Sequence, residues 1–175
     1  MRKQDLFDRF LEGKKNSLGQ VPSIFKEILD HQITIDDVYD LYAEEHPIVS
    51  MRISNLMKRL WREDGKLIKP YIDNFIEDAN RLKNPTFRWT IAQIFTECYH
   101  LLSDAQKQLL LVKIKENLML GNDWIMLAQS LASLEFAMKK RMNILDSEEI
   151  LRKIAEDDRK SVSSKAKRIL DSLND

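Results

Sequence analysis

Apolar residues recur along this chain at helical spacing, and one helical pattern itself recurs at a longer interval. Between Asn84 and Tyr99, the residues Phe87, Ile91, Ile94, Phe95, Cys98 and Tyr99 fall on one face of a helix. Asn84 suits the N-cap, and Pro85 suits the first turn, where a missing N–H is harmless. The same offsets appear earlier as Val49, Ile53, Leu56, Met57, Leu60 and Trp61, with Pro47 in the place of Pro85. Val162, Ala166, Ile169, Leu170 and Leu173 repeat the first five. A weaker copy begins at Trp124, runs through Ala128, Leu131 and Ala132, and fails at Glu135. The four starting positions, 49, 87, 124 and 162, are nearly evenly spaced. That constancy predicts a tandem array in which Val49, Phe87, Trp124 and Val162 share one buried seam.

Between these copies lie further helical patterns. Residues 3–14 form a short helix with Leu6, Phe7, Phe10 and Leu11 inward, and residues 13–19 read as a loop. Pro22 then opens a helix carrying Ile24, Phe25, Ile28 and Leu29. Thr34 to Asp37 is a capping box that starts a helix through Val38, Leu41 and Tyr42 to about Glu45. Its acidic residues, Asp36, Asp37, Asp40, Glu44 and Glu45, fit a solvated face, with a docking surface for a basic partner as the alternative. The Pro47 helix carries Arg52, Lys58, Arg59 and Arg62 on its outer side and stops at Asp64-Gly65. A helix from Lys66 to Leu82 packs through Ile68, Ile72, Phe75, Ile76 and Ala79. Ser103 to Gln106 is a second capping box, heading a helix with Leu109, Leu110, Val112, Ile114 and Leu118. Gly121-Asn122 turns into the Trp124 helix, Asp146 to Glu149 caps another through Ile150, Leu151 and Ile154, and Ser161 begins the last copy.

The expected fold is therefore all-α: one domain over residues 1–175, with an atypical cap at 1–33 and about four helix pairs over 34–175. A lone pair of helices cannot bury its apolar side, so neighbouring pairs stack around one continuous core. Terminal units of such arrays are often atypical because one of their faces meets solvent.

The segments HPIVSMR and NPTFRW are Pro-headed turns that lead into a helix, and they resemble the HEAT/ARM family of α-α solenoids. Arg88 takes the consensus arginine position in the second, whereas Ser50 stands there in the first, with Arg52 two residues later. The resemblance covers residues 34–175 and implies an α-α superhelix whose concave face binds a partner. The tail ILRKIAEDDRKSVSSKAKRILDSL resembles the end of a small bacterial HEAT-like family, some members of which carry an adenylosuccinate lyase name. The Gly- and Ser-rich signature loop of true lyases has no counterpart here, so lyase activity is not expected. Asp123-Trp124 is similar to the Trp and Asp used by HEAT-like DNA glycosylases of alkylation repair. Trp124 falls on the expected core position, which weighs against that role.

Composition narrows the function further. Lys+Arg and Asp+Glu are both 28, so the formal net charge is +0 and no chain-wide field attracts nucleic acid. A nucleic-acid role would need Arg52, Arg59, Arg62, Arg81 and Arg88 to converge on one groove. The single cysteine, Cys98, cannot form an intrachain disulfide and fits a reducing compartment. No apolar run has the ~18 residues of a membrane span, and the start of the sequence lacks the apolar core of a signal peptide, so the expected location is cytoplasmic. Glu97 and His100 have the Glu-x-x-His spacing of di-iron sites, but one such motif without two further glutamates does not make a centre. His31 and His46 supply no second pair. Lys139-Lys140-Arg141 sits at a helix end, where cations complement the dipole and where a phosphate could bind, and Lys165, Lys167 and Arg168 fit a solvent face. No Walker A loop, G-x-G-x-x-G, G-x-S-x-G or C-x-x-C is present. These observations lead to the expectation of a non-enzymatic scaffold without cofactor, metal or catalytic residues, binding a protein or peptide. The alternative is a nucleic-acid binder related to alkylation-repair glycosylases.

Overall fold

The structure, a computed structural model, describes residues 2–121 and 123–174. The chain is all-α, with ten α-helices and no strand among the described residues. By compactness it divides into two units, residues 1–87 and 88–175.

The first unit begins with α1 (Lys3–Leu11) and α2 (Val21–Leu29), both of which pack on α4 (Pro47–Glu63). Leu6, Phe10, Ile24 and Ile28 are buried as expected, whereas Leu11 and Leu29 remain more than a third exposed. The Thr34 capping box forms: Thr34 Oγ1 accepts from the Asp37 N–H at 3.1 Å, and the Asp37 carboxylate accepts from the Thr34 N–H at 3.3 Å. It starts α3 (Ile35–Tyr39), which tightens into a 3-10 turn at Asp40–Glu44. Asp36, Glu44 and Glu45 have partners within the unit. Tyr71 donates to Asp36 at 2.7 Å, Glu44 pairs with Lys3 at 2.6 Å, and Glu45 accepts from the Lys83 N–H at 3.4 Å.

The expected helix from Lys66 to Leu82 is broken. Two 3-10 turns, Gly65–Leu67 and Lys69–Tyr71, precede α5 (Ile72–Asp78). Pro70 is the reason: it lacks the N–H that an α-helix interior needs and its ring clashes with the preceding turn. Gly65 is correspondingly not a left-handed stop; Asp64 ends α4 in an extended conformation with φ −146°. An aromatic cluster fills the interior of this unit. Tyr42 meets Phe87 edge-on at 4.9 Å, and Phe75 stacks on Phe87 at 5.5 Å.

The second unit contains α6 (Pro85–Glu97) from Arg88 onward, α7 (Asp104–Leu120), α8 (Trp124–Lys139), α9 (Glu148–Ala155) and α10 (Lys160–Asn174). α7 packs on α8, α9 on α10, and α10 on α8. The Ser103 capping box forms as expected, and Gly121 closes α7 in the left-handed region at φ +63°. Asn122, the second residue of the expected turn, lies outside the described residues.

Trp124 corrects the sequence reading. It is 55% exposed, whereas Val49, Phe87 and Val162 are fully buried. The buried positions of α8 are Met126, Leu127, Ser130, Leu131, Ser133, Leu134 and Ala137. Met126, Ser130, Ser133, Leu134 and Ala137 reproduce the offsets of Phe87, Ile91, Ile94, Phe95 and Cys98. The buried set of α8 starts two residues later than the apolar pattern indicates. Two of its core positions are serines, and Ser133 is satisfied by donating to the Ala92 carbonyl at 2.8 Å.

Candidate functional site

α7 is apolar on two opposite sides. Leu110, Leu111, Ile114 and Leu118 are buried, while Leu109 and Val112 are each 49% exposed and Met119 is 65% exposed. Val112 and Met119 lie seven residues apart, two turns along one stripe. They form one wall of a groove of about 450 Å³, whose far wall is Ser147, Glu149, Ile150 and Lys153. Lys115 reaches across to Asp146 at 2.6 Å and braces the two sides.

That ion pair also explains a failed expectation. Asp146 does not cap α9. It lies in a 3-10 turn at Leu145–Ser147, held by Lys115, and Ser147 at the N-cap makes no side-chain capping bond. The Ser147 hydroxyl is buried in the groove lining.

Beneath α7 lies a polar cluster. Arg88 is only 5% exposed, and Asn117, which is fully buried, clamps it from both ends. The guanidinium donates to the Asn117 side-chain oxygen at 3.4 Å, and the Asn117 amide donates to the Arg88 carbonyl at 3.0 Å. Glu116 sits 3.7 Å from the guanidinium and accepts from Lys113 at 2.9 Å. Burial pushes the Arg88 pKa below its ordinary value, and Glu116 acts in the opposite direction. The cluster ties α6 to α7 and turns inward.

Arg52, expected on the outer side of α4, is fully buried. Its guanidinium donates to four backbone carbonyls: Ser17 at 3.1 Å, Phe10 and Glu12 at 2.6 Å each, and Lys14 at 2.8 Å. Phe10 and Glu12 lie at the C-terminal end of α1, where carbonyls lack intrahelical partners and carry partial negative charge. Arg52 therefore caps α1 from another helix and gathers the loop that follows. Gly19 (φ +52°) belongs to this arrangement, since a Cβ there would lie 2.5 Å from the Glu12 carbonyl oxygen and 2.8 Å from the Arg52 guanidinium.

The remaining sequence candidates separate. Arg52 and Arg88 are internal, and Arg81 pairs with Asp78 at 2.9 Å, so these three of the five arginines are engaged within their own units. Asp123 is the N-cap of α8, accepting from the Met126 N–H at 2.8 Å, and Trp124 beside it faces solvent. Glu97 ends α6, while His100 lies in the 3-10 turn Tyr99–Leu101, so the two do not share a helix face. No group of three or more His, Cys, Asp or Glu is placed to hold a metal among the described residues. His46 accepts from the Val49 N–H at 3.5 Å at the head of α4. Cys98 is 2% exposed and burial pushes its thiol up to about 12, which keeps it protonated and unreactive at neutral pH. No helix among the described residues is long and apolar enough to cross a membrane.

Compared with known proteins, the chain matches no family model, no curated protein and no solved structure. Its function is therefore argued from its own geometry.

Proposed function

We propose that this chain is a non-enzymatic protein-binding module, a HEAT-like α-α solenoid of helix pairs, and that α7 is its contact helix. The observation that carries this reading is the outward stripe of Leu109, Val112 and Met119 on a helix whose opposite side is already buried. A helix that carries apolar residues on two opposite sides is satisfied only when both sides are covered. Each apolar side chain withdrawn from water there contributes about 25 cal/mol per Å². Leu120 near the end of α7 and Trp124 at the start of α8 are also exposed, and tryptophan is a residue type that commonly dominates binding energy.

The occupant is a protein or peptide that places an apolar side chain between Val112, Met119 and Ile150. The charges at the groove are paired with each other, Lys115 with Asp146 and Lys153 with Glu149, so they orient a partner more than they attract it. The repeat reading is supported by the buried offsets shared by α4, α6, α8 and α10. A cytoplasmic location is supported by the single, buried cysteine.

The test compares the wild type with Val112→Asp/Met119→Asp as bait, with proteins recovered from cells quantified by mass spectrometry. Circular dichroism and Tm should match, because both residues are exposed. The reading expects a partner enriched on the wild type and lost from the variant. Identical recoveries from the two baits would overturn it.

A further inference from the structure

Two basic segments that are distant in sequence meet on the face shared by α8 and α10. Arg168 of α10 donates to Glu135 of α8 at 3.0 Å, and Lys139 lies 3.9 Å from the same carboxylate. Lys165 is one turn before Arg168 on α10. Lys140 and Arg141 follow directly at the end of α8, where the helix carbonyls add partial negative charge. Lys140 lies over the Phe136 ring at 5.3 Å and the Tyr99 ring at 5.4 Å, and Lys107 lies 4.9 Å from the Tyr99 ring centre. One carboxylate, Glu135, thus serves two cations, Arg168 and Lys139.

We propose that this α8–α10 face is a second interaction surface that takes an acidic peptide segment. Glu135 shows the chemistry that fits, since the cations already hold a carboxylate. Arg168 spends one hydrogen bond on it and is 61% exposed, and Lys139 is 70% exposed, so both can accept a second carboxylate. Lys165 is in the same field: burial lowers its pKa, Glu135 raises it, and Arg168 and Lys139 lower it. Another anion would relieve that crowding. A carboxylate segment is favoured over nucleic acid because the chain's 28 basic and 28 acidic residues cancel, leaving a local patch without a long-range field. The surface is separate from the α7 stripe, so each can fail without the other.

The experiment measures anisotropy of fluorescein-labelled poly-L-glutamate, about 15 residues long, at low and high salt, beside an oligo-dT of matched length. Binding of poly-L-glutamate is expected at low salt, weakening with added salt. Lys139→Gln/Arg168→Gln should lose about tenfold in affinity, worth about 1.4 kcal/mol. Glu135→Gln should bind several-fold more tightly, a gain that a merely damaged fold does not give. Val112→Asp/Met119→Asp should bind like the wild type. No binding at low salt, oligo-dT binding more tightly than poly-L-glutamate, or Glu135→Gln binding no better than wild type would each overturn the proposal.

Discussion

Replacing Arg52 with methionine removes the donors that hold the end of α1 and residues 12–17 together. The magnitude follows from what each carbonyl does next. Glu12 and Lys14 are exposed, so water takes over their carbonyls at little cost. Phe10 is fully buried, and an orphaned buried carbonyl costs about 1–3 kcal/mol. Hydrogen bonds from a charged donor contribute about 1.5–3 kcal/mol each, but the guanidinium is buried without a carboxylate, and its desolvation offsets much of that sum. The net loss is about 3 kcal/mol, read as a lower urea midpoint at unchanged slope. Arg52→Lys keeps the charge but loses the planar fork, and should recover less than half of the loss. A second readout is local: Lys14 and Lys15, exposed in the released loop, become early trypsin sites. A loss below about 1 kcal/mol with unchanged cleavage would show that the four carbonyls do not depend on Arg52.

Gly19→Ala should destabilise by about 1–2 kcal/mol, because the added Cβ meets backbone as well as the guanidinium at a positive φ; a urea midpoint equal to wild type would contradict this. Phe87→Ala removes a fully buried ring between Tyr42 and Phe75 and should cost about 3–5 kcal/mol in the same assay, whereas a change under about 1 kcal/mol would refute its central place. Alkaline pH should weaken the fold. Cys98 keeps its proton to about 12 when folded, against an ordinary value of 9.0, so above pH 9 the unfolded state binds fewer protons and stability falls. The thiol alone accounts for about 2 kcal/mol lost by about pH 10.5. Tyr39 and Tyr71, raised first by burial and then by their carboxylate partners Asp78 and Asp36, add to the loss above pH 10. Cys98→Ala should flatten the slope between about pH 9 and 10.5, and an unchanged slope would remove the thiol from this account.

Where local pattern and packing agree, the fold was legible. The Thr34 and Ser103 capping boxes form because their partners are three residues away and nothing distant competes. Asp146 has the same kind of local pattern, but Lys115, far off in the sequence, captures its carboxylate instead. Hydrophobicity alone selects Trp124 as the largest apolar residue, while the packed register of α8 uses Ser130 and Ser133. A charged residue such as Arg52 is normally solvated; four carbonyls from the end of α1 and the loop after it, more than 30 positions away, reverse that preference. The helix 66–82 failed for a reason present in the sequence, Pro70, whose break outweighs the apolar periodicity around it. The α7 stripe was half visible. Leu109 and Val112 were assigned to the same helix as Leu110 and Ile114, but which side faces solvent is decided by packing. The basic face on α8 and α10 needed the fold, since Lys139 and Arg168 become neighbours only through Glu135.

The most direct test of α7 as the contact helix is a photo-crosslinking amino acid placed at Met119 and, as a control, at the exposed Lys26 of α2. In cells, the Met119 position should give a discrete adduct with another protein that disappears when Val112→Asp is added, and the Lys26 position should not give that adduct. No adduct at Met119, or the same adducts from both positions, would contradict the account.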